Sequence, residues 1–259
     1  MKTKIIPLLM LALACASTVH ADWFSRTKYR EPIHREGAFN ADGILTIENV
    51  NGKVTIEAWD RNAYVIEGEK RAKDEDDLDR IDIKWSLDDD HIGIKVKLPK
   101  KKGFFSMGTI DGRVDLVIKV PASAHVRDVQ TVNGALKITG MTGRVNASTV
   151  NGSIDATNLG GSAKIHTVNG GVRAHFAQLN PDANIEFNTV NGGVKIYLPE
   201  GAGATLKASV VNGHIETDMP VMMQGRVGKK SLNGTIGDGG AIIEANTVNG
   251  SIKFAQSDR

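Results

Sequence analysis

The side chains best suited to chemistry in this sequence are seven histidines and a few acidic runs. No histidine has a cysteine or an acidic residue at the spacing of a metal site. The acidic run Asp74–Asp79 lacks the glycine and the spaced terminal glutamate of a calcium-binding loop. Asp88–His91 is most simply a hairpin turn between two alternating strands. Because neither a nucleophile elbow nor a Walker loop is found, we predict no catalytic, cofactor-binding or metal-binding residue and no enzymatic activity.

The dominant pattern is the tetrapeptide Thr-Val-Asn-Gly, which occurs with small variations eight times. From the second copy onward, successive asparagines lie 16 to 22 residues apart. Such a period is typical of a repeat architecture. We predict that the repeat asparagines form a structural ladder, and they are Asn51, Asn133, Asn151, Asn169, Asn191, Asn212, Asn233 and Asn249.

Each copy has a fixed apolar frame around its asparagine. A valine or leucine directly precedes the asparagine, and a second aliphatic residue follows three positions after it. Beyond that point apolar and polar residues alternate, as in Ile154-Asp155-Ala156, which predicts strands with one buried face. A second strand fits before most copies, for example at 143–148 and 184–188. Each period therefore holds two strands and two turns.

Two all-β folds fit this pattern. Asn-Gly between alternating strands is a strong hairpin signal, which would give an antiparallel β-sandwich or meander. In a β-solenoid, by contrast, equal positions of successive turns stack at about 4.8 Å, and this stacking explains why the flanking residues repeat as well. The solenoid is therefore favoured. It predicts that consecutive repeat asparagines are neighbours and that their paired glycines have backbone angles that alanine tolerates poorly.

Two copies deviate from the regular array. The first, at Asn51, lies 82 residues before the next, so either an insertion divides the array or residues 43–130 form an N-terminal β region with a charged insertion. The copy at Asn233 is the weakest, because Asp238 falls at an inward position between two glycines. We expect distortion there, and we place the repeat solenoid at residues 131–256.

Residues 1–21 have the features of a signal peptide. Lys2 and Lys4 precede an apolar stretch that is too short to span a membrane, and Val19-His20-Ala21 suits cleavage before Asp22. The alternative is lipoprotein processing at Cys15, the only cysteine. We predict an exported protein of the periplasm, cell surface or medium, with residues 22–42 as a flexible lead-in.

One segment suggests a surface partner. A basic triplet beside two phenylalanines could contact anionic lipid or polymer. Removing the two leader lysines takes the net charge from +2 to about zero, which argues against nucleic acid as a partner. The residues of this possible membrane-surface patch are Lys100, Lys101, Lys102, Phe104 and Phe105.

Together these residues resemble a known family. The segment I-E-N-V-N-G-K-V-T-I-E-A-W-D, a charged hairpin region, a strand ending in V-P and the serial T-V-N-G repeats are similar to the bacterial "putative adhesin" family, a domain of unknown function related to the head-GIN domains. The resemblance covers about residues 40–256. It implies an exported, envelope-associated β-solenoid without established enzymatic activity.

The resemblance and the residue patterns lead to one functional expectation and two alternatives. We expect a non-enzymatic, adhesin-like scaffold that presents its solenoid surface to a protein or glycan, without a cofactor. The first alternative is an envelope-stress sensor that binds a membrane partner, since some relatives are linked to such signalling. The second is a polysaccharide-active enzyme, although its chemistry needs clustered acids that the sequence does not show.

Overall fold

The computed structural model describes residues 29–99, 111–223, 228 and 230–257, and nearly every element in them is a β-strand. In chain order the elements are β1 (Tyr29–Ala38), β2 (Ile44–Glu48), β3 (Val54–Trp59), β4 (Ala63–Ala72), α1 (Glu75–Asp79), β5 (Asp82–Leu87), β6 (His91–Lys97), β7 (Arg113–Pro121), β8 (His125–Asn133), β9 (Leu136–Thr139), β10 (Val145–Asn151), β11 (Ile154–Leu159), β12 (Ala163–Asn169), β13 (Val172–Phe176), β14 (Asn184–Asn191), β15 (Val194–Leu198), β16 (Ala204–Asn212), β17 (Ile215–Thr217), β18 (Met222–Met223), β19 (Ser231–Ile236), β20 (Ala241–Asn249) and β21 (Ile252–Gln256).

These strands form two sheets that face each other across one core. Sheet A has the order β1-β4-β7-β3-β9-β11-β13-β15-β21-β17, and sheet B has the order β18-β19-β16-β20-β14-β12-β10-β8-β2-β6-β5. One strand of sheet B and the next strand of sheet A form a rung, joined in seven of the eight rungs by an Asn-Gly corner. Neighbouring rungs pair in parallel with matched positions, for example Asn151 beside Asn169 and Val172 beside Val194. The predicted β-solenoid is confirmed, and the antiparallel sandwich is not the fold.

The rungs do not stack in chain order. The last rung in sequence, β20–β21, lies between β14–β15 and β16–β17, so Asn249 is paired with Asn191 on one side and with Asn212 on the other. The prediction that consecutive repeats are neighbours is therefore wrong at this end. The opposite end has the same arrangement, because β2–β3 lies between β6–β7 and β8–β9.

The early copy at Asn51 belongs to the same solenoid as the later copies. Its strands pair in parallel with β8 and β9, and the expected boundary between residues 130 and 131 falls inside β8. The structure therefore has no boundary at that position. The intervening residues supply a further rung, β6–β7, and the antiparallel strands β4 and β5, which makes them the insertion that divides the array.

Antiparallel strands lie at both ends of sheet B and at one end of sheet A. On sheet A, β1 pairs with β4 over ten residues, so residues 29–38 of the expected flexible lead-in form a strand. The sequence does not show this strand, because Ile33 is its only buried side chain and backbone pairing holds the rest. At the other end, β19 pairs antiparallel with β16, and Asn233 lies in mid-strand opposite Lys207. Asp238 is exposed in the turn that follows rather than inward.

The core fills the space between the sheets with stacked aliphatic and aromatic side chains. Phe176 and Phe187 face each other across it with ring centroids 6.4 Å apart, and both are almost fully buried. Ile154 and Val172, inward by alternation, are buried as well. The described helix α1 is a single short turn capped by Asp74, and no helix of the described residues is long and apolar enough to cross a membrane.

Candidate binding surfaces

The Asn-Gly corners stack into a straight edge that runs along the solenoid. The threonine that opens most copies points inward and is buried. From Thr149 onward its hydroxyl donates to the carbonyl of the corner glycine on the rung before it, as from Thr149 to Gly134 at 3.0 Å and from Thr167 to Gly152 at 3.0 Å. The buried Thr131 hydroxyl has no such partner among the described residues. Backbone bonds such as Gly134 N to Asn151 O, at 3.1 Å, tie the same corners together. Each corner is therefore positioned by its neighbour.

The repeat asparagines form a continuous side-chain hydrogen-bonded column, here called the asparagine ladder. In each link, counted from Asn51, the Nδ2 group of one asparagine donates to the Oδ1 atom of the asparagine on the preceding rung at 2.8–2.9 Å. Asn233 is not a member, because its copy lies in β19. The ladder contains Asn51, Asn133, Asn151, Asn169, Asn191, Asn249 and Asn212, in spatial order.

The ladder has one direction, which is set at its first member. Asn51 Nδ2 donates to the carbonyl of Gly112 at 3.0 Å. Since a carbonyl can only accept, Asn51 must turn its oxygen toward Asn133, and every later amide then takes the same orientation. Each link uses one amide hydrogen and one lone pair, so each amide keeps a second donor and a second acceptor for other groups.

The corner glycines are required by close packing rather than by their backbone angles. A Cβ on Gly152 would lie 2.1 Å from the carbonyl oxygen of Gly134, and one on Gly170 would lie 2.0 Å from that of Gly152. Among the ladder corners, only Gly52 and Gly213 have a positive φ. The expectation of unusual backbone angles is thus wrong for Gly134, Gly152, Gly170 and Gly192, which are glycine because the next rung passes so close.

In six of the copies the valine before the asparagine points outward, although the frame around the asparagine is apolar. Residues that the repeat keeps apolar would normally be core residues, yet these side chains are 37–55% exposed. They stack one per rung on the same line, about 24 Å long at about 4.8 Å per rung. We call this line the valine ridge, and it consists of Val132, Val150, Val168, Val190, Val248 and Val211 in spatial order.

A shallow groove of about 380 Å³ runs beside the first part of the valine ridge. Valines form one wall, and the outward polar residues of sheet B, including Gln130, Ser148 and His166, form the other. The groove therefore offers an apolar and a polar wall that run in parallel along several rungs.

The outer face of sheet A carries a column of charged residues. Each of them lies four positions after the asparagine of its corner, as Arg173 does after Asn169. Arg173, Lys195 and Lys253 are stacked on three neighbouring rungs, and Asp155 lies on the rung before them. Asp155 is 3.9 Å from the Arg173 guanidinium. A cavity of about 270 Å³ lies over this column and is lined by Ser153, Ile154, Asp155, Gly171, Val172, Arg173, Gly193 and Lys195.

The outer face of sheet B carries ion pairs between rungs. Lys164 Nζ lies 2.9 Å from Glu186, and Lys207 Nζ lies 3.3 Å from Glu244. The hydrogen bond from Lys164 is the main cause that holds the pKa of Glu186 below its ordinary value of 4.5, while partial burial acts in the opposite direction. Glu186 is therefore ionised at neutral pH.

The remaining predicted site lies outside the described residues. This is the basic and aromatic patch Lys100, Lys101, Lys102, Phe104 and Phe105. Within the described ranges, no three histidine, cysteine or acidic side chains are grouped so that they could hold a metal ion.

Residues 128–254 match the model of the family described as Toastrack DUF4097. This part of the chain is a Toastrack domain. The resemblance noted from the sequence is thereby confirmed at the level of the family, a domain of unknown function. The match begins inside β8 and ends inside β21, so it covers the rungs from β8–β9 onward. The solenoid itself extends beyond the matched residues, through β2–β3 and β6–β7.

The chain is similar to several solved structures of bacterial proteins. One is described as a "putative cell adhesion protein" from Clostridium sporogenes ATCC 15579, with 16% identity over 88% of this chain and 100% of that chain, and a TM-score of 0.47. Another is described as a "putative adhesin" from Bacteroides fragilis NCTC 9343, with 12% identity over 86% of this chain and 97% of that one, and a TM-score of 0.39. No curated protein matches this chain.

Proposed function

We propose that this protein is a non-enzymatic binding scaffold of the bacterial cell envelope that holds a protein partner along its valine ridge. The observation that carries the proposal is the exposure of six stacked valines on one straight line. Single exposed apolar residues are ordinary, but a continuous apolar strip on a soluble surface marks an interaction site.

The chemistry of this edge suits a polypeptide. Aliphatic side chains of a partner can cover the valines, and burial of apolar surface favours association. The asparagine ladder lies directly beside the ridge, and each of its amides keeps one donor and one acceptor. These groups match the free N–H and C=O groups of an extended backbone, so the edge offers both apolar and amide contacts.

The charged groups of the faces support a binding role rather than catalysis. A general acid needs a raised pKa, whereas the pKa of Glu186 is lowered by Lys164. Asp155 and Glu244 lie beside Arg173 and Lys207, respectively. The acids of the outer faces are therefore balanced by bases on neighbouring rungs, an arrangement that suits a stable surface.

Co-sedimentation with isolated envelopes of the source bacterium tests the proposal. We expect the purified chain to sediment with the envelopes, and a variant with Val150→Thr, Val168→Thr and Val190→Thr to lose most of this binding while keeping its melting temperature. Ile242→Thr is the matched control, because Ile242 is an aliphatic residue 42% exposed in β20 outside the ridge. Equal binding by the triple variant contradicts the role of the ridge. Binding that survives protease treatment of the envelopes contradicts a protein partner.

We also propose that the protein is exported and begins at Asp22 in its mature form. The support is the basic start, the short apolar stretch and Val19-His20-Ala21. Intact-mass measurement of the protein from envelope fractions should give the mass of residues 22–259. A mass that includes lipid on Cys15 would show lipoprotein processing instead.

A further inference from the structure

Gly171, on the outer face of sheet A, has no structural reason to be glycine, and Gly193 lies beside it on the next rung. A Cβ on Gly171 would meet its nearest atom, the Gly193 carbonyl oxygen, at 3.4 Å, which is ordinary contact. A Cβ on Gly193 would lie 3.1 Å from the Ser251 carbonyl oxygen, which is a tight contact. Neither glycine has a positive φ. Neighbouring rungs hold Ser153 and Ser251 at this position. Glycine without a conformational or packing cause is typical of a place where a ligand approaches the backbone closely.

Stacked cations lie beside the backbone of Gly171 and Gly193, which is here called the glycine floor. Arg173, Lys195 and Lys253 occupy matched positions on three neighbouring rungs, about 4.8 Å apart. Arg173 is 58% exposed, and Lys253 lies 3.6 Å from Asp218. Within the described part of the chain, no ion pair is found for Lys195. The column thus presents positive charge along the direction of the solenoid axis, toward an elongated anionic ligand.

Two half-buried rings lie beside the cations on the same strands. His175 and Tyr197 occupy matched positions on β13 and β15, with ring centroids 6.3 Å apart and planes inclined by 31°. Ser257 lies 2.8 Å from His175 Nε2 and fixes that ring. Aromatic rings with one exposed side offer a surface on which the flat apolar side of a sugar ring can lie.

The floor also contains an acceptor. Asp155 lines the cavity, and its Oδ1 atom is buried without a hydrogen-bond partner among the described residues. A ligand that carries only negative charge would be repelled by this carboxylate. A ligand with hydroxyl groups could donate to it while its own acidic groups contact Arg173 and Lys195.

From these four features we propose that the outer face of sheet A from β11 to β21 binds an acidic glycan strand. The face is named the glycan trough and consists of Ser153, Asp155, Gly171, Gly193, Arg173, Lys195, Lys253, His175 and Tyr197. The carboxylates of the glycan lie on the cations, its hydroxyls reach Asp155 and Ser153, and its rings cover the glycine floor and His175 and Tyr197. This surface is separate in sequence position and sheet from the valine ridge, so the inference goes beyond the proposed function and does not rest on it.

Titration of the purified protein with polygalacturonate tests the glycan trough. Neutral dextran and vesicles containing an anionic phospholipid serve as the other probes. We expect binding of polygalacturonate alone, weakened roughly tenfold or more by Arg173→Gln or Lys195→Gln, the loss of a charge-assisted contact. Gly171→Val should also weaken it, by filling the floor, with the melting temperature unchanged.

Matched controls separate a trough from general attraction to cations. Lys164→Gln and Lys207→Gln remove lysines of similar exposure from sheet B, and they should bind like the wild type. The triple valine variant should also bind normally, which distinguishes failure of the trough from failure of the ridge. Unchanged affinity of Arg173→Gln and Lys195→Gln, equal weakening by the sheet B controls, or preference for the anionic vesicles would each overturn the proposal.

Discussion

At the scale of single residues, the two adjacent glycines of one corner have different surroundings. Gly170 sits against the rung below, whereas Gly171 has room for a side chain. The local sequence Asn-Gly-Gly gives no indication of this difference, because it depends on which backbone passes beneath the corner. Only the stacking of the rungs shows which glycine is required by packing and which has room for a side chain.

This difference predicts opposite effects of the same substitution at neighbouring positions. Gly170→Ala should destabilise the fold by about 1–3 kcal/mol, since its methyl group would force the corner away from the Gly152 carbonyl. Gly171→Ala should be neutral or stabilise the fold by about 0.4–1 kcal/mol through the unfolded chain. Urea unfolding of both variants measures the two changes. A comparable loss at both positions would mean that corner packing does not distinguish them.

The asparagine ladder predicts penalties that follow spatial order and not chain order. Asn249 is bonded to Asn191 and to Asn212, so Asn249→Ala removes two links, whereas Asn212→Ala at the end of the ladder removes one. At about 1 kcal/mol or less per exposed bond, Asn249→Ala should cost up to twice as much as Asn212→Ala. Asn233→Ala, outside the ladder, is the control and should cost least. A larger loss of thermal stability for Asn212→Ala than for Asn249→Ala would contradict the ladder.

At the scale of elements, an ion pair joins β12 to β14 and makes stability depend on pH. The pKa of Glu186 is lowered in the folded state, mainly by Lys164. The stabilisation is therefore complete above 4.5, the ordinary value, and is lost as the pH falls through the lowered folded value. Lys164→Met should reduce the melting temperature at about pH 6, and its difference from wild type should shrink toward about pH 3.

The control for this prediction is Lys137→Met, because the described residues supply no ion pair for Lys137. Its melting temperature should run parallel to that of the wild type over the same pH range. If the Lys164→Met difference stayed constant on acidification, the pair with Glu186 would not be the source of the stabilisation.

Much of the strand pattern could be predicted from the sequence, because alternation after each corner determines which residues face the core. The exposed valines could not be predicted from the frame around the asparagine alone. The chain passes from one sheet to the other at the corner, so the inward and outward alternation does not continue through it. The missing signal lies in the strand before the corner. In β12, Ala163, Ile165 and Thr167 alternate inward, which places Val168 on the outward side with His166. Thr167 is polar but buried, so the inward alternation of β12 is difficult to recognise from residue types alone.

The order of the rungs could not be predicted from the repeats for a different physical reason. The copies at Asn212 and Asn249 both keep the Asn-Gly corner and the aliphatic residues around it, so the repeat pattern alone does not tell which of them stacks on Asn191. The antiparallel strands decide between them, because β19 covers the outer side of β16 and leaves β20 the inner place. The same lack of local signal placed Asn233 in the predicted ladder, although its Asn-Gly lies within a strand.

At the scale of the whole molecule, the rungs that come first and last in the sequence are not the outermost rungs of the described solenoid. β2–β3 comes first among the rungs in sequence but has a neighbour on each side, and the same is true of β20–β21, which comes last. In an ordinary solenoid, stability is a sum over neighbours, and the terminal repeats fray first. Here the outermost rungs, β6–β7 and β16–β17, are internal in the sequence, so each is followed and preceded by other strands of the fold.

This arrangement predicts the order in which amides exchange with solvent. Peptides from β20–β21 should exchange as slowly as those from β10–β13 in the middle of the solenoid, because each of their strands has hydrogen-bonded partners on both sides. Peptides from β17 should exchange faster than those from β21, although β17 lies further from the end of the sequence, since its described pairing is with β21 only. Hydrogen exchange with mass spectrometry resolves these segments. Exchange that proceeds inward from the C-terminal strands in chain order would contradict the inserted position of the last rung.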